Sequence, residues 1–95
     1  MSGLADVTLP DGVELTRTTP VFTAETVPAG LLGAHRVAPG VWGLLRVFQG
    51  EVTFVVEASG DARRLTTGDT QVIEPDVAHH IEPGPDAELV VEFYR

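Results

Sequence analysis

Short runs of alternating apolar and polar residues, separated by glycine and proline, dominate this chain. In Glu51–Glu57, the side chains of Val52, Phe54 and Val56 fall on one side and more polar ones on the other. Successive side chains of a strand point to opposite faces, so this segment predicts a strand of an antiparallel sheet packed on one face. No helical period of useful length is present, because proline and glycine interrupt Ala24–Leu32.

The same pattern along the chain predicts an all-β domain, because ten Gly and seven Pro punctuate runs rich in Val, Leu, Thr and Phe. The predicted strands are Val13–Thr18 at an edge, Val21–Thr26 as an irregular or short strand, Leu31–Ala38, Val41–Gln49, Glu51–Ala58, Ala62–Thr66, Thr70–Glu74, His79–Glu82 and Glu88–Tyr94. So many short strands indicate a sandwich, barrel or jelly roll. The 95 residues form one domain, with residues 1–12 predicted as a loose N-terminal arm.

Composition narrows the classes of partner and site. The chain has no cysteine, so a metal ion would be held by His, Asp or Glu. The net charge is −8 and all six basic residues are Arg, which disfavours nucleic acid and anionic membranes as partners. We expect a cytoplasmic protein, since neither a signal peptide nor an apolar run of membrane-spanning length is visible. Because a domain of this size buries only about 60–65% of its surface, a homodimer is expected.

The three histidines are the candidate chemical groups. His35 stands alone in the predicted strand Leu31–Ala38, whereas His79 and His80 are adjacent. Alternation places His79 and His80 on opposite faces, so only one of them can point into a barrel. Imidazole suits both metal binding and acid–base chemistry, although an isolated strand histidine is more often a packed or surface residue.

Spacing around the second histidine resembles a cupin motif that runs from a turn glycine through a proline to a histidine. Gly68, Pro75 and His79 follow this order, and His79 lies 11 residues after Gly68, the usual cupin offset. Pro75 lies one position later than the proline of the usual motif. If the spacing is counted from Pro75 instead of Gly68, the histidine of the motif is His80. We prefer His79, because the turn glycine fixes the start of the strand pair.

The first cupin motif, which has two histidines, a glutamate and a closing glycine, is incomplete. Gly50 can serve as the closing glycine, but Gly43 stands where a metal-binding cupin usually has glutamate. Only His35 remains of the usual histidine pair. The chain therefore resembles a cupin that has lost part of the usual ligand set.

A closer resemblance covers Thr18–Arg95, to the TehB/YeaR-like cupin family, which includes a domain fused to some tellurite-resistance methyltransferases. The matching segments are Thr19–Phe22, Val27–Leu32, His35, Gly40–Gly43, Val47–Val52, Val72–Pro75, His79, Glu82 and Val91–Arg95. The resemblance implies a cupin-type double-stranded jelly-roll β-barrel, often dimeric, with a small pocket and a bound divalent ion. Two departures are Ala78, where the family usually has Trp, and His80, where it often has Arg or Asn.

We predict a metal site, with zinc as the candidate ion, formed by His35, His79 and Glu92. The histidines match family positions, and two imidazoles need a further ligand. Glu92 lies in an otherwise apolar strand, where an unpaired carboxylate is costly to bury. The alternative is that Glu92 points to solvent while its apolar neighbours pack inward. Glu82 is a weaker candidate, because alternation places it opposite His79.

Three functions stay open at this point. The first is a cupin that binds a divalent metal, a small molecule or an oxyanion in stress or tellurite detoxification; the second is a small cupin enzyme acting on a metabolite. The third is a metal-free dimeric interaction module. We interpret Arg36 and Arg46 as surface charges rather than oxyanion ligands, and Trp42 as either a pocket wall or a dimer anchor.

Overall fold

The computed structural model describes residues 3–95; Met1 and Ser2, the first residues of the predicted arm, lie outside this range. The described chain forms eight strands and two short 3₁₀ turns, Leu4–Asp6 and Ala29–Leu31. The strands are β1 (Leu15–Thr18), β2 (Phe22–Thr23), β3 (Trp42–Gln49), β4 (Glu51–Val56), β5 (Ala62–Thr66), β6 (Thr70–Ile73), β7 (His79–Pro83) and β8 (Glu88–Tyr94). No helix of the described residues is long and apolar enough to span a membrane.

The strands form two antiparallel sheets. One has the order β1-β8-β3-β6, with β2 also paired to β8, and the other has the order β5-β4-β7. Apolar side chains from both sheets meet in one core, and Leu45, Val52, Leu65 and Leu89 are completely buried there. The architecture is the predicted cupin-type jelly roll.

Most strand bounds follow the sequence pattern, and β5 and β8 have the predicted limits. The predicted strand Leu31–Ala38 is wrong. This segment begins in a 3₁₀ turn, and only His35 makes an isolated bridge, to His79. Gly30 and Gly33 explain the difference, because glycine weakens a strand and favours turns. The short β2 and the edge position of β1 agree with the prediction.

Gly50 links the two sheets between β3 and β4. Its φ is +71°, a left-handed conformation that glycine adopts without the steric cost of a side chain. A Cβ at this position would also lie 2.9 Å from backbone atoms of Asp86 and Ala87. The glycine is therefore required twice, by the backbone angle and by the close approach of the β7–β8 connection.

The segment before β1 is attached to the first sheet at Leu4. The Gln71 side chain, 1% exposed, donates from Nε2 to the Leu4 carbonyl oxygen at 2.9 Å, and Leu4 packs against the core. Arg63 in turn donates to Gln71 Oε1 at 3.1 Å. A buried amide needs such partners, and here they join the N-terminal segment to β5 and β6.

Candidate functional site

An irregular segment that contains His35 pairs with His79, the first residue of β7. The backbone amide of each histidine donates to the carbonyl oxygen of the other, at 2.7 and 2.8 Å. The amide of Asp76 donates to Val37 O at 2.8 Å and extends the pairing. The His35 segment is thus held against the start of β7 by backbone hydrogen bonds, although it is not a regular strand.

The two imidazoles lie edge to face, with ring centroids 5.4 Å apart and an interplanar angle of 77°. The His79 ring also stacks on Phe54 at 5.2 Å and is 1% exposed. Burial lowers the pKa of His79, so this imidazole is neutral at neutral pH. His79 Nδ1 donates to Val77 O at 3.1 Å, which leaves Nε2 with the lone pair.

His35 differs from His79 in its hydrogen bonding. Its Nδ1 is buried and has no hydrogen-bond partner among the described residues. Buried polar atoms are nearly always paired in native proteins. The imidazole of His35 therefore keeps unused hydrogen-bonding capacity.

Both histidines line a cavity of about 210 Å³ between the sheets, which we call the inner cavity. Its walls are mostly apolar. They are formed by Arg17, Thr19, Phe22, Pro28, Gly30, Leu31, His35, Val37, Ile73, His79, Val91 and Phe93. Concave, mainly apolar cavities with a few convergent polar groups are the usual form of a small-molecule site.

A more open recess adjoins the inner cavity, shares Arg17, His35, Val37 and Phe93 with it, and is called here the outer recess. Its other lining residues are Thr16, Arg36, Ala38, Val41 and Arg95. Arg36, which the sequence pattern placed simply on the surface, is exposed but lies at this rim. Arg17 and Arg95 were missed, because their place depends on β1 pairing with β8.

Glu92, the predicted third ligand, lies away from the two imidazoles. Its β8 neighbours Val91 and Phe93 line the inner cavity, so Glu92 projects from the opposite face of the sheet. There Oε2 lies 3.0 Å from Arg46 Nε, and Oε1 accepts a hydrogen bond from Tyr94 at 2.9 Å. The structure therefore brings together two of the three proposed ligands.

Glu82 also lies outside the cavity, as alternation predicted. It accepts from His80 Nε2 at 2.8 Å, and Glu57 contacts His80 Nδ1 at 2.5 Å. These carboxylates raise the pKa of His80, Glu82 having the larger effect. His79 and His80 are thus on opposite faces, one buried at the cavity and one paired on the surface.

Trp42 lies on the outer face of the first sheet and does not line the inner cavity or the outer recess. It alternates with the inward-facing Gly43 and Leu45 along β3. Leu44 and Val90 lie on the same outer face, where they are 8% and 4% exposed. Trp42 is therefore available for contacts outside the cavity rather than for its wall.

The donors at the cavity make up only part of a metal shell. Within residues 3–95, no group of three or more His, Asp or Glu side chains is arranged to hold an ion. The position that usually carries glutamate is Gly43, where an added Cβ would lie 3.1 Å from Ile73 Cβ. Ile73 thus occupies the space that a longer side chain at position 43 would need.

Comparison with known proteins agrees with this fold. The chain matches the TehB-like domain family over residues 17–91. A crystal structure of an E. coli (strain K12) protein superposes with a TM-score of 0.88 at 26% identity, covering 94% of this chain and 96% of that one. TehB from Haemophilus influenzae gives a TM-score of 0.76 at 25% identity, over 88% of this chain but only 32% of TehB.

More distant likeness supports the fold alone. The structure of KdgF from Halomonas sp. has a TM-score of 0.55 at 22% identity and covers 93% of this chain and 83% of that chain. No curated protein matches. The family match spans most of the sequence, and the inner cavity is built largely from residues within it. The chain therefore belongs to the TehB-like domain family.

Proposed function

We propose that this domain binds a small molecule in the inner cavity, against His35 and His79. The observation that supports this function best is the unpaired, buried Nδ1 of His35 beside an apolar cavity of about 210 Å³. A ligand with a polar group beside His35 would complete the hydrogen bonding of the site when the imidazole turns toward the cavity. The neutral imidazole of His79 offers a second polar contact in the same cavity.

The size of the cavity limits the ligand. An apolar cavity of about 150 Å³ holds one benzene molecule. The inner cavity is somewhat larger, so it suits a single ring with one substituent or a short branched chain. Such a ligand would gain affinity from apolar burial and orientation from the two imidazoles.

Binding can be tested by ¹H–¹⁵N NMR with a panel of neutral and charged single-ring compounds. We expect at least one compound to shift the amide resonances of the cavity residues, and His35→Ala to weaken that binding. His80→Ala is the matched control, because it removes an imidazole from the opposite face. If no compound shifts these resonances, or His80→Ala has the same effect as His35→Ala, the proposal fails.

A divalent ion is the second candidate, and the proximity of His35 and His79 supports it. Imidazole–zinc bonds are about 2 Å long, so rings 5.4 Å apart can reach one ion. Two imidazoles supply half of a tetrahedral shell, and water or the ligand itself would supply the rest. A bound ion would act there as a Lewis acid toward that ligand.

Metal analysis of protein purified without a histidine tag tests the second candidate. We expect up to one zinc ion per chain, lost in His79→Ala and in His35→Ala. Retention is expected in His80→Ala and in Glu92→Gln, since neither residue faces the cavity. Absence of any divalent metal from the wild-type protein, together with unchanged stability on adding zinc, rejects this candidate.

The wider setting that we propose is a cytoplasmic stress or oxyanion-detoxification role, including tellurite, as the family resemblance implies. The arginines at the outer recess support an oxyanion ligand. We also propose a homodimer through the face that carries Trp42, since tryptophan is enriched at interfaces. Light scattering should give twice the monomer mass, and Trp42→Arg should restore the monomer; a monomeric wild type rejects the dimer.

A further inference from the structure

We propose that the ligand is a small amphipathic anion, with its apolar body in the inner cavity and its oxyanion head at the outer recess. This inference rests on the proposed function, because it specifies the ligand of the same site. The recess and cavity share Arg17 and His35, so one molecule can occupy both. The head group would be a carboxylate or a phosphate.

The distribution of charge around the outer recess favours an anionic head group. The chain has 14 acidic and only six basic residues, yet three of its arginines, Arg17, Arg36 and Arg95, line the outer recess. No Asp or Glu lies among the described residues that line the recess or the inner cavity. Asp76 offsets the charge of Arg36, whereas Arg17 and Arg95 make no ion pair among the described residues and leave positive charge at the recess.

The surroundings of Arg17 suit it to bind this head group. Its guanidinium carbon lies 4.8 Å from the centroid of the Phe93 ring, which also lines both spaces. It makes no ion pair with a carboxylate of the described chain. The cation lies over the ring, and its N–H groups make no hydrogen bond among the described residues, so they can donate to a carboxylate or phosphate.

The other arginines differ in how far they are already paired. Arg36 donates to the Asp76 carbonyl oxygen at 2.8 Å and lies 3.5 Å from its carboxylate, so it is partly engaged. Arg46 and Arg64 pair with Glu92 and Glu51, away from the cavity. Arg17 and Arg95 are the recess arginines without an ion pair among the described residues, and only Arg17 also lines the inner cavity. Arg17 is therefore expected to contribute most to binding of the head group.

The apolar lining of the inner cavity favours an organic anion over an inorganic one. An inorganic oxyanion would use only the recess and leave the inner cavity without an occupant. An anion with a single ring would place that ring against Phe93 and Val91, near the two imidazoles. Apolar burial and charge-assisted hydrogen bonds would then act on one molecule.

The test compares four probes by NMR titration: benzoate, phenyl phosphate, neutral benzyl alcohol and inorganic phosphate. We expect benzoate or phenyl phosphate to bind about tenfold more tightly than benzyl alcohol and inorganic phosphate. Arg17→Gln should weaken the better organic anion about threefold to tenfold and leave benzyl alcohol unchanged. Arg17→Lys should give an intermediate loss, because it keeps the charge but not the paired donors.

Arg64→Gln is the control, since Arg64 lies on the other sheet and should leave all four affinities unchanged. The inference is overturned if benzyl alcohol binds as tightly as the organic anions, or if Arg17→Gln has no effect; the proposed function then stands. It is also overturned if inorganic phosphate matches phenyl phosphate. If no organic probe reaches the cavity, both proposals fail. The preference between benzoate and phenyl phosphate identifies the head group.

Discussion

Replacing Gly50 by alanine should destabilise the domain far more than replacing another left-handed glycine. Gly50 and Gly60 have nearly the same φ, +71° and +73°. They differ in surroundings: a Cβ at Gly50 would lie 2.9 Å from backbone atoms of Asp86 and Ala87, whereas one at Gly60 meets nothing within 4 Å. The pair therefore separates the cost of the backbone angle from the cost of the close approach.

The expected magnitudes follow from these two contributions. A left-handed conformation costs a residue with a Cβ about 1–2 kcal/mol, and this applies to both variants. Alanine also lowers the conformational entropy of the unfolded chain equally in both variants, which offsets about 0.4–1 kcal/mol of this cost. Only Gly50→Ala overpacks against backbone that has no alternative rotamer, at about 1–3 kcal/mol. Gly50→Ala should therefore be less stable than Gly60→Ala by about 1–3 kcal/mol.

Urea denaturation of the wild type and both variants measures this difference, with equal m-values as the check on two-state unfolding. Thermal unfolding gives a second reading, since each kcal/mol shifts Tm by about 4–8 °C in a domain of this size. If the two variants agree within about 0.5 kcal/mol, the close approach of the β7–β8 connection does not constrain Gly50, and the reasoning is refuted.

Three further predictions concern the site and its surroundings. Glu92→Gln should cost about 1 kcal/mol in urea denaturation and leave benzoate binding unchanged; lost binding would place Glu92 in the site. The pKa of His80 is raised in the folded state, so its stabilising contribution should be present below about pH 6.5 and should disappear as the pH rises through that raised pKa. His80→Gln should therefore destabilise the protein at about pH 6 but not at about pH 9. An equal loss at both values would contradict this. Gly43→Ala should cost about 1 kcal/mol through its contact with Ile73, and unchanged stability would show that Ile73 moves aside.

Local pattern was sufficient for much of the fold. Alternation and punctuation by glycine and proline predicted strands close to β3 through β8, because strand faces and turns are set by neighbouring residues. The same rule separated His79 from His80. It failed at Leu31–Ala38, where apolar residues line the cavity without forming a strand. Outside a strand, alternation along the sequence does not predict which side chains face the core.

Candidate ligands were harder to predict than strands. Glu92 was chosen because an unpaired carboxylate among apolar residues would be costly to bury. The tertiary structure places it on the outer face beside Arg46, where an ion pair and the Tyr94 hydroxyl stabilise it. Sequence spacing does not show such a partner, because Arg46 and Glu92 meet only through the pairing of β3 with β8.

The sequence by itself determined the all-β jelly roll, the family and the two histidines that line the cavity, since these depend on short-range periodicity and on motif order. Only the tertiary structure decided what surrounds those histidines. Pairing of the first and last strands places Arg17 over Phe93, and the packing of an irregular segment against the start of β7 joins His35 to His79. Such long-range contacts arise from the burial of both sheets together, and no local pattern encodes them.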